Sequence, residues 1–194
     1  GFDMTHLLEL GQICAPAAAY LLYRIGTVMD GRRFVITCDE FRAYLLNEQF
    51  ASVIDKFLLT VRKNNGLLIL GTQQPEHVLE SPIGSSLVAQ CQTKILFPSP
   101  TADRKAYIEG LKCTEGEYRA VREDMLTGRR RFLLKREGGS VICEFDLSPM
   151  PEFIAVLSGR ANTVRFVDRL RDELGQAPEQ WLPAFLEGFK EARD

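Results

Sequence analysis

Two acids and a glutamine carry the chemistry this sequence offers. Asp39 and Glu40 follow the apolar, β-branched run Phe34-Val35-Ile36-Thr37-Cys38. Gln73 follows a second run, Leu67-Leu68-Ile69-Leu70, after Gly71-Thr72. Phosphoryl transfer to water is mostly positioning and charge neutralisation. Magnesium keeps several of its waters, so one strand-end carboxylate can hold it, directly or through water. A second carboxylate can orient and activate the attacking water. A glutamine on the neighbouring strand can contact the terminal phosphate or that water. Asp39 and Glu40 therefore read as the metal-holding and water-activating end of a nucleotide site, with Gln73 beside them. The same acids also suit the first turn of a following helix, whose dipole favours them. The second strand, its glutamine and the spacing favour the site.

Those groups need a scaffold. Each apolar run is short and lacks alternation, which predicts strands buried on both faces in a parallel sheet. Ligands of such sheets bind at the carboxyl ends of the strands. Between the runs, residues 40–46 start one helix. Residues 47–64 form another, with Phe50, Ile54, Phe57, Leu58 and Val61 on one face. Arg62-Lys63-Asn64-Asn65-Gly66 closes it, basic side chains answering the dipole and Gly66 as the stop. Strand, helix, strand at this spacing is a βαβ crossover.

Upstream, residues 3–29 are patterned as helix, capped by Asp3 or Thr5 and running through Leu7 and Leu8 to Val28; Pro16 predicts a break near Cys14-Ala15. Downstream, Val78-Leu79 and residues 83–89 are short helical pieces. Residues 93–97 are a third strand, and 102–110 and 115–121 are short helices. Strand 131–135, the turn signal Glu137-Gly138-Gly139-Ser140 and strand 141–147 form a hairpin. Helices 152–157, 161–174 and 178–192 finish the chain. The pattern is one α/β domain, residues 1–147 forming a sheet core with hairpin and 148–194 a helical tail.

Composition narrows the function classes. The 194 residues suffice for one substantial core. A net charge of −2 advertises no bulk affinity for nucleic acid. No apolar run approaches the roughly 20 residues that span a bilayer, and Asp3, His6 and Glu9 interrupt any signal-like start. Cys14, Cys38, Cys91, Cys113 and Cys143 are scattered singly, and with His6 and His77 as the two histidines no zinc-ligand spacing arises. Reduced core thiols of a cytoplasmic protein fit this usage. The start at Gly1-Phe2-Asp3 reads as a cut inside a longer protein.

Other residues carry two readings each. Arg62 and Lys63 could reach a phosphate, including one in a neighbouring subunit, or simply answer a helix end. Arg129, Arg130 and Arg131 could contact nucleotide, nucleic acid or an acidic partner, or form a solvated turn. Arg160 could approach a nucleotide or cap a helix. His77 reads as a loop residue. Trp181, with Leu182, Phe185, Leu186 and Phe189, could dock on a partner or pack the tail onto its own domain. A phosphate loop of the G-x-x-x-x-G-K-[ST] type is missing, since the chain contains no Gly-Lys pair. Either the protein never hydrolysed nucleotide or the loop lies upstream of Gly1; the cut-like start favours the second, and the isolated chain is then expected to bind nucleotide weakly and turn it over negligibly.

Several stretches, in order, resemble a known family: Gly1-Phe2-Asp3-Met4-Thr5, Asp30-Gly31-Arg32-Arg33, Asp39-Glu40-Phe41, Val61-Arg62-Lys63-Asn64-Asn65-Gly66, Gly71-Thr72-Gln73-Gln74-Pro75, Glu144-Phe145-Asp146-Leu147-Ser148 and Phe153-Ile154-Ala155-Val156-Leu157-Ser158-Gly159. Together they are similar to the carboxyl-terminal part of the large ATPase of bacterial type IV secretion and conjugative-transfer systems (the VirB-apparatus, CagE and TrbE type). The resemblance implies a RecA-like P-loop NTPase core, partial here, of the superfamily of the DNA pumps HerA and FtsK. It implies ATP and magnesium, with Asp39 on the metal, Glu40 activating water and Gln73 as the sensor glutamine. Arg62, or Lys63 if the register slips by one, falls near the family's trans-acting arginine finger. It also implies a homo-hexamer at the cytoplasmic face of the inner membrane, working with other secretion components on a DNA or protein substrate. The alternatives are a DNA-translocating motor of the wider superfamily and an interaction module that kept the fold and lost catalysis.

Overall fold

The computed structural model describes residues 11–45, 48–127, 130–157 and 159–191. They form a mixed α/β protein of two compact units, one ending at Cys143 and the other beginning at Glu144. Asp3, Thr5 and the first apolar residues, the boundary at Leu46-Asn47, Arg129 and Ser158 lie outside the described residues.

In the first unit, helix α1 (Gly11–Val28) leads into strand β1 (Phe34–Cys38). Contrary to the expected break, α1 runs through Pro16. A proline inside a helix removes one backbone bond at a cost of about 3 kcal/mol. The apolar length of α1 outweighs it, with Leu22 packing on the core. Two helices, α2 (Arg42–Leu45) and α3 (Glu48–Thr60), then a 3₁₀ turn over Arg62–Asn64, carry the chain back to β2 (Gly66–Leu70). Strands β1 and β2 pair in parallel, Phe34 opposite Gly66 and Cys38 opposite Leu70. The crossover read from the sequence is therefore present. Its stop is displaced by one residue, because Asn65, not Gly66, takes the left-handed conformation at φ 60°.

The expectation that both strands are buried on both faces is not met. Burial alternates along each strand. Ile36, Cys38, Leu68 and Leu70 turn inward, and Val35, Leu67 and Ile69 remain 47–60% exposed. Nothing among the described residues covers that second face. The inward face meets a core of Phe41, Leu45, Ala51, Ile54, Leu58 and Leu87. Of the helical face read from sequence, Ile54, Leu58 and Val61 are buried and Phe57 half-buried.

After β2 come α4 (Pro75–Leu79) and α5 (Gly84–Gln90), then β3 (Lys94–Leu96). His77 is part of α4 and half-buried, not in a loop; its Nδ1 has no hydrogen-bond partner. Strand β3 does not extend the parallel pair. It pairs antiparallel with β4 (Arg131–Arg136), which also adjoins β5 (Gly139–Glu144) in a second sheet. Between β3 and β4 the short helices contain π-helical turns at Ala106–Gly110 and Ala120–Asp124, the second continuing α6 (Glu115–Arg119). Thr114 and Glu117 form a reciprocal capping box at the start of α6. Glu117 is buried and receives the Lys135 ammonium at 2.7 Å. Burial raises its carboxyl, but Lys135, the Thr114 N–H and the Ser140 hydroxyl outweigh that and hold it below the ordinary range. Beside it, burial pushes the Cys113 thiol up to about 11.

The second unit holds α7 (Pro151–Leu157), α8 (Ala161–Leu174) and α9 (Pro178–Glu191). Its core is Ala155, Leu170 and Phe185, with the Phe166, Trp181 and Phe189 rings around Phe185. Trp181 therefore packs within this helical unit. Arg160 precedes α8 at the cap position, and its side chain makes no capping bond. Among the described residues no helix is long and apolar enough to cross a membrane.

Candidate functional site

Asp39, Glu40 and Gln73 meet at the carboxyl ends of β1 and β2. The contact is direct: Gln73 Nε2 donates to Glu40 Oε1 at 2.5 Å, across 33 residues of sequence. Glu40 N–H in turn donates to Asp39 Oδ1 at 2.9 Å. All three residues are exposed. They belong to two short turns that follow β1 and β2. Phe41, next to Glu40, is 1% exposed and anchors the chain in the core. In the facing loop the Thr72 hydroxyl donates to the Gln74 carbonyl and accepts its N–H, both at 3.3 Å, just before Pro75 opens α4.

The backbone here is not relaxed. Glu40 has φ 48°, a left-handed conformation that β-carbon sterics disfavour. Such outliers persist when surrounding contacts over-determine them, and they cluster at functional sites. The sequence marked the acids but not this strain, the Phe41 anchor or the bonds that Gly71 makes to Cys38 and Phe41. The one available signal was a glycine directly after an apolar run.

Arg62 is not brought to these residues. It lies beside the amino end of β2, and the five-residue strand separates it from the acids by about 13 Å. Lys63 shares its exposed turn. Arg131 is the first residue of β4, and Arg130 precedes it with φ 59°. An open cleft of about 420 Å³, lined by Arg33, Phe34, Val35, Asn65, Gly66 and Leu67, lies at the amino ends of the strands. Parallel sheets bind their ligands at the opposite end, so the acids and glutamine, not this cleft, define the candidate site. A magnesium ion needs one or two carboxylates beside phosphate oxygens and waters, and the exposed Asp39 at a strand end fits that requirement.

This chain, with its parallel strand pair and two acids, aligns along nearly its whole length with type IV secretion proteins. It is 38% identical over 185 residues to the type IV secretion system protein virB4 of Bartonella henselae, covering 95% of this chain and 24% of that protein. It is 38% identical over 193 residues to the type IV secretion system protein PtlC of Bordetella pertussis, covering 99% of this chain and 23% of that protein. With the protein virB4 of Agrobacterium fabrum it shares 71% identity over all 194 residues, which cover 25% of that protein. The chain belongs, over the stretch it spans, to the VirB4 family of type IV secretion proteins. It spans about a quarter of the length of these curated relatives. No protein-family model matches it.

Proposed function

We propose that this chain is the part of a type IV secretion ATPase that carries the acids for ATP hydrolysis, built on a RecA-like core. The observation that carries the reading is the contact of Gln73 with Glu40, beside Asp39, at the carboxyl ends of two parallel strands. Asp39 would hold magnesium, which when bound neutralises phosphate charge. Glu40 takes a proton from the attacking water as that oxygen bonds to the γ-phosphorus and the bond to the bridging oxygen breaks. ADP and phosphate leave, and the proton passes to solvent. Gln73 holds the Glu40 carboxylate in one orientation and lies beside the γ-phosphate. The phosphate-cradling loop belongs to residues outside this chain, so the chain alone is inactive.

Arg62 acts across a subunit interface in this reading, since it lies far from the acids of its own chain. The assembly is a homo-hexamer at the cytoplasmic face of the inner membrane. It works with other secretion components and drives pilus assembly and transfer of a DNA or protein substrate. The test uses the full-length protein carrying this sequence. Glu40→Gln should lower ATP turnover about a hundredfold or more while ATP binding persists. Mixing Glu40→Gln with Arg62→Ala subunits should restore part of the activity. Wild-type turnover in Glu40→Gln would overturn the role of Glu40, and no rescue at any ratio would overturn the finger.

A further inference from the structure

We infer that Gly71 is a positioning residue for the Asp39-Glu40 turn: its peptide holds both ends of the turn, and its missing Cβ leaves the space that the Asp39 carboxylate occupies. This rests on the hydrolytic role proposed for the two acids. Gly71 N–H donates to the Cys38 carbonyl at 2.8 Å, and the Gly71 carbonyl accepts from Phe41 N–H, also at 2.8 Å. The residue that follows β2 thus bonds to positions on either side of Asp39 and Glu40. The two acids are looped out between these bonds, as in a bulge that re-aims side chains.

Space is the reason for glycine. A Cβ at Gly71 would stand 3.1 Å from Asp39 Oδ1, 3.7 Å from the Cys38 carbonyl oxygen and 3.8 Å from Asp39 Cα. The backbone of Gly71 is not left-handed, so alanine could adopt its conformation without strain. Of the neighbours, the Cys38 oxygen is fixed by its bond to Gly71, leaving the Asp39 carboxylate as the group free to turn. That same Oδ1 accepts the Glu40 N–H in the left-handed turn. Even the few tenths of an ångström by which it must give would strain that bond, so a single methyl group would disturb both acids without entering the core.

The test compares Gly71→Ala with wild type in the full-length protein. kcat should fall about tenfold or more, as small misplacements of reacting groups do, while KM for ATP stays within about twofold because the phosphate contacts lie elsewhere. A readout independent of turnover is amide hydrogen exchange in the nucleotide-free protein. Exchange at Glu40 should quicken, with the rest of the core unchanged. Asp39→Ala should quicken the same amide, and adding Gly71→Ala to it should add nothing. Wild-type kcat and exchange in Gly71→Ala, with Glu40→Gln inactive, would overturn the role of Gly71 and leave the hydrolytic reading standing. Wild-type turnover in Glu40→Gln would overturn both. A Gly71→Ala protein that unfolds, or a further loss when it is added to Asp39→Ala, would show that Gly71 acts through packing and overturn the inference.

Discussion

The amino and carboxyl ends of the β1–β2 pair are assembled from the same parts and set differently. Each end has a glycine whose added Cβ would be crowded and a non-glycine residue in the left-handed region. At the amino end the left-handed residue is Asn65, φ 60°, a type that tolerates this conformation, and its side chain ties back to the Gly31 carbonyl at 2.9 Å. The glycine there is Gly66, where a Cβ would lie 2.3 Å from the Phe34 ring and 2.6 Å from Val61. At the carboxyl end the left-handed residue is Glu40, a type with no such tolerance, and the crowded neighbour of Gly71 is a carboxylate. One end presses its glycine against apolar side chains. The other keeps two acids and a glutamine in the open and holds them in a strained turn. Strained backbone of this kind clusters at functional sites, in keeping with the hydrolytic role proposed for that edge.

The hundredfold loss expected of Glu40→Gln is the largest effect at either end, and its counterpart at the other end is smaller and of a different kind. Gly66→Ala should destabilise the chain by about 2 kcal/mol, the cost of forcing a methyl into packed side chains, read as a lower urea midpoint at unchanged m-value. Turnover per folded full-length molecule should not change. An unaltered midpoint would remove the packing half of the contrast. The smallest change in stability separates strain from chemistry. Glu40→Gly should raise the stability of the chain by about 1 kcal/mol by relieving the left-handed penalty, while abolishing turnover in the full-length protein. A loss of stability in that variant would mean that Glu40 is held by contacts worth more than the strain.

Much of this was legible because local chemistry decides it. Phe34–Cys38 and the run from Leu67 are marked as strands by their apolar residues, and Asp39, Glu40 and Gln73 by the abrupt polar residues after them; the second strand, expected over 67–72, runs from Gly66 to Leu70. What failed depends on distant parts of the chain. An apolar run shows what a strand is suited to bury but not what covers it, so the exposure of Val35, Leu67 and Ile69 could not be read. Strand β3 carries no mark of its partner, and its antiparallel pairing with β4 joins Leu96 to Leu133, 37 positions later. Pro16 was weighed by its local cost, which tertiary packing overrides. Within the site, the meeting of Gln73 with Glu40 followed from the crossover. The two-sided hold of Gly71 needed the backbone itself.

The most direct measurement is a structure of the full-length protein with magnesium and a non-hydrolysable ATP analogue. Asp39, Glu40 and Gln73 of one subunit should surround the γ-phosphate and its metal, with Arg62 of that subunit turned away from them. Nucleotide bound at the amino-terminal cleft of Arg33 and Asn65, or anywhere these three side chains do not reach, would contradict the assignment of the hydrolytic edge.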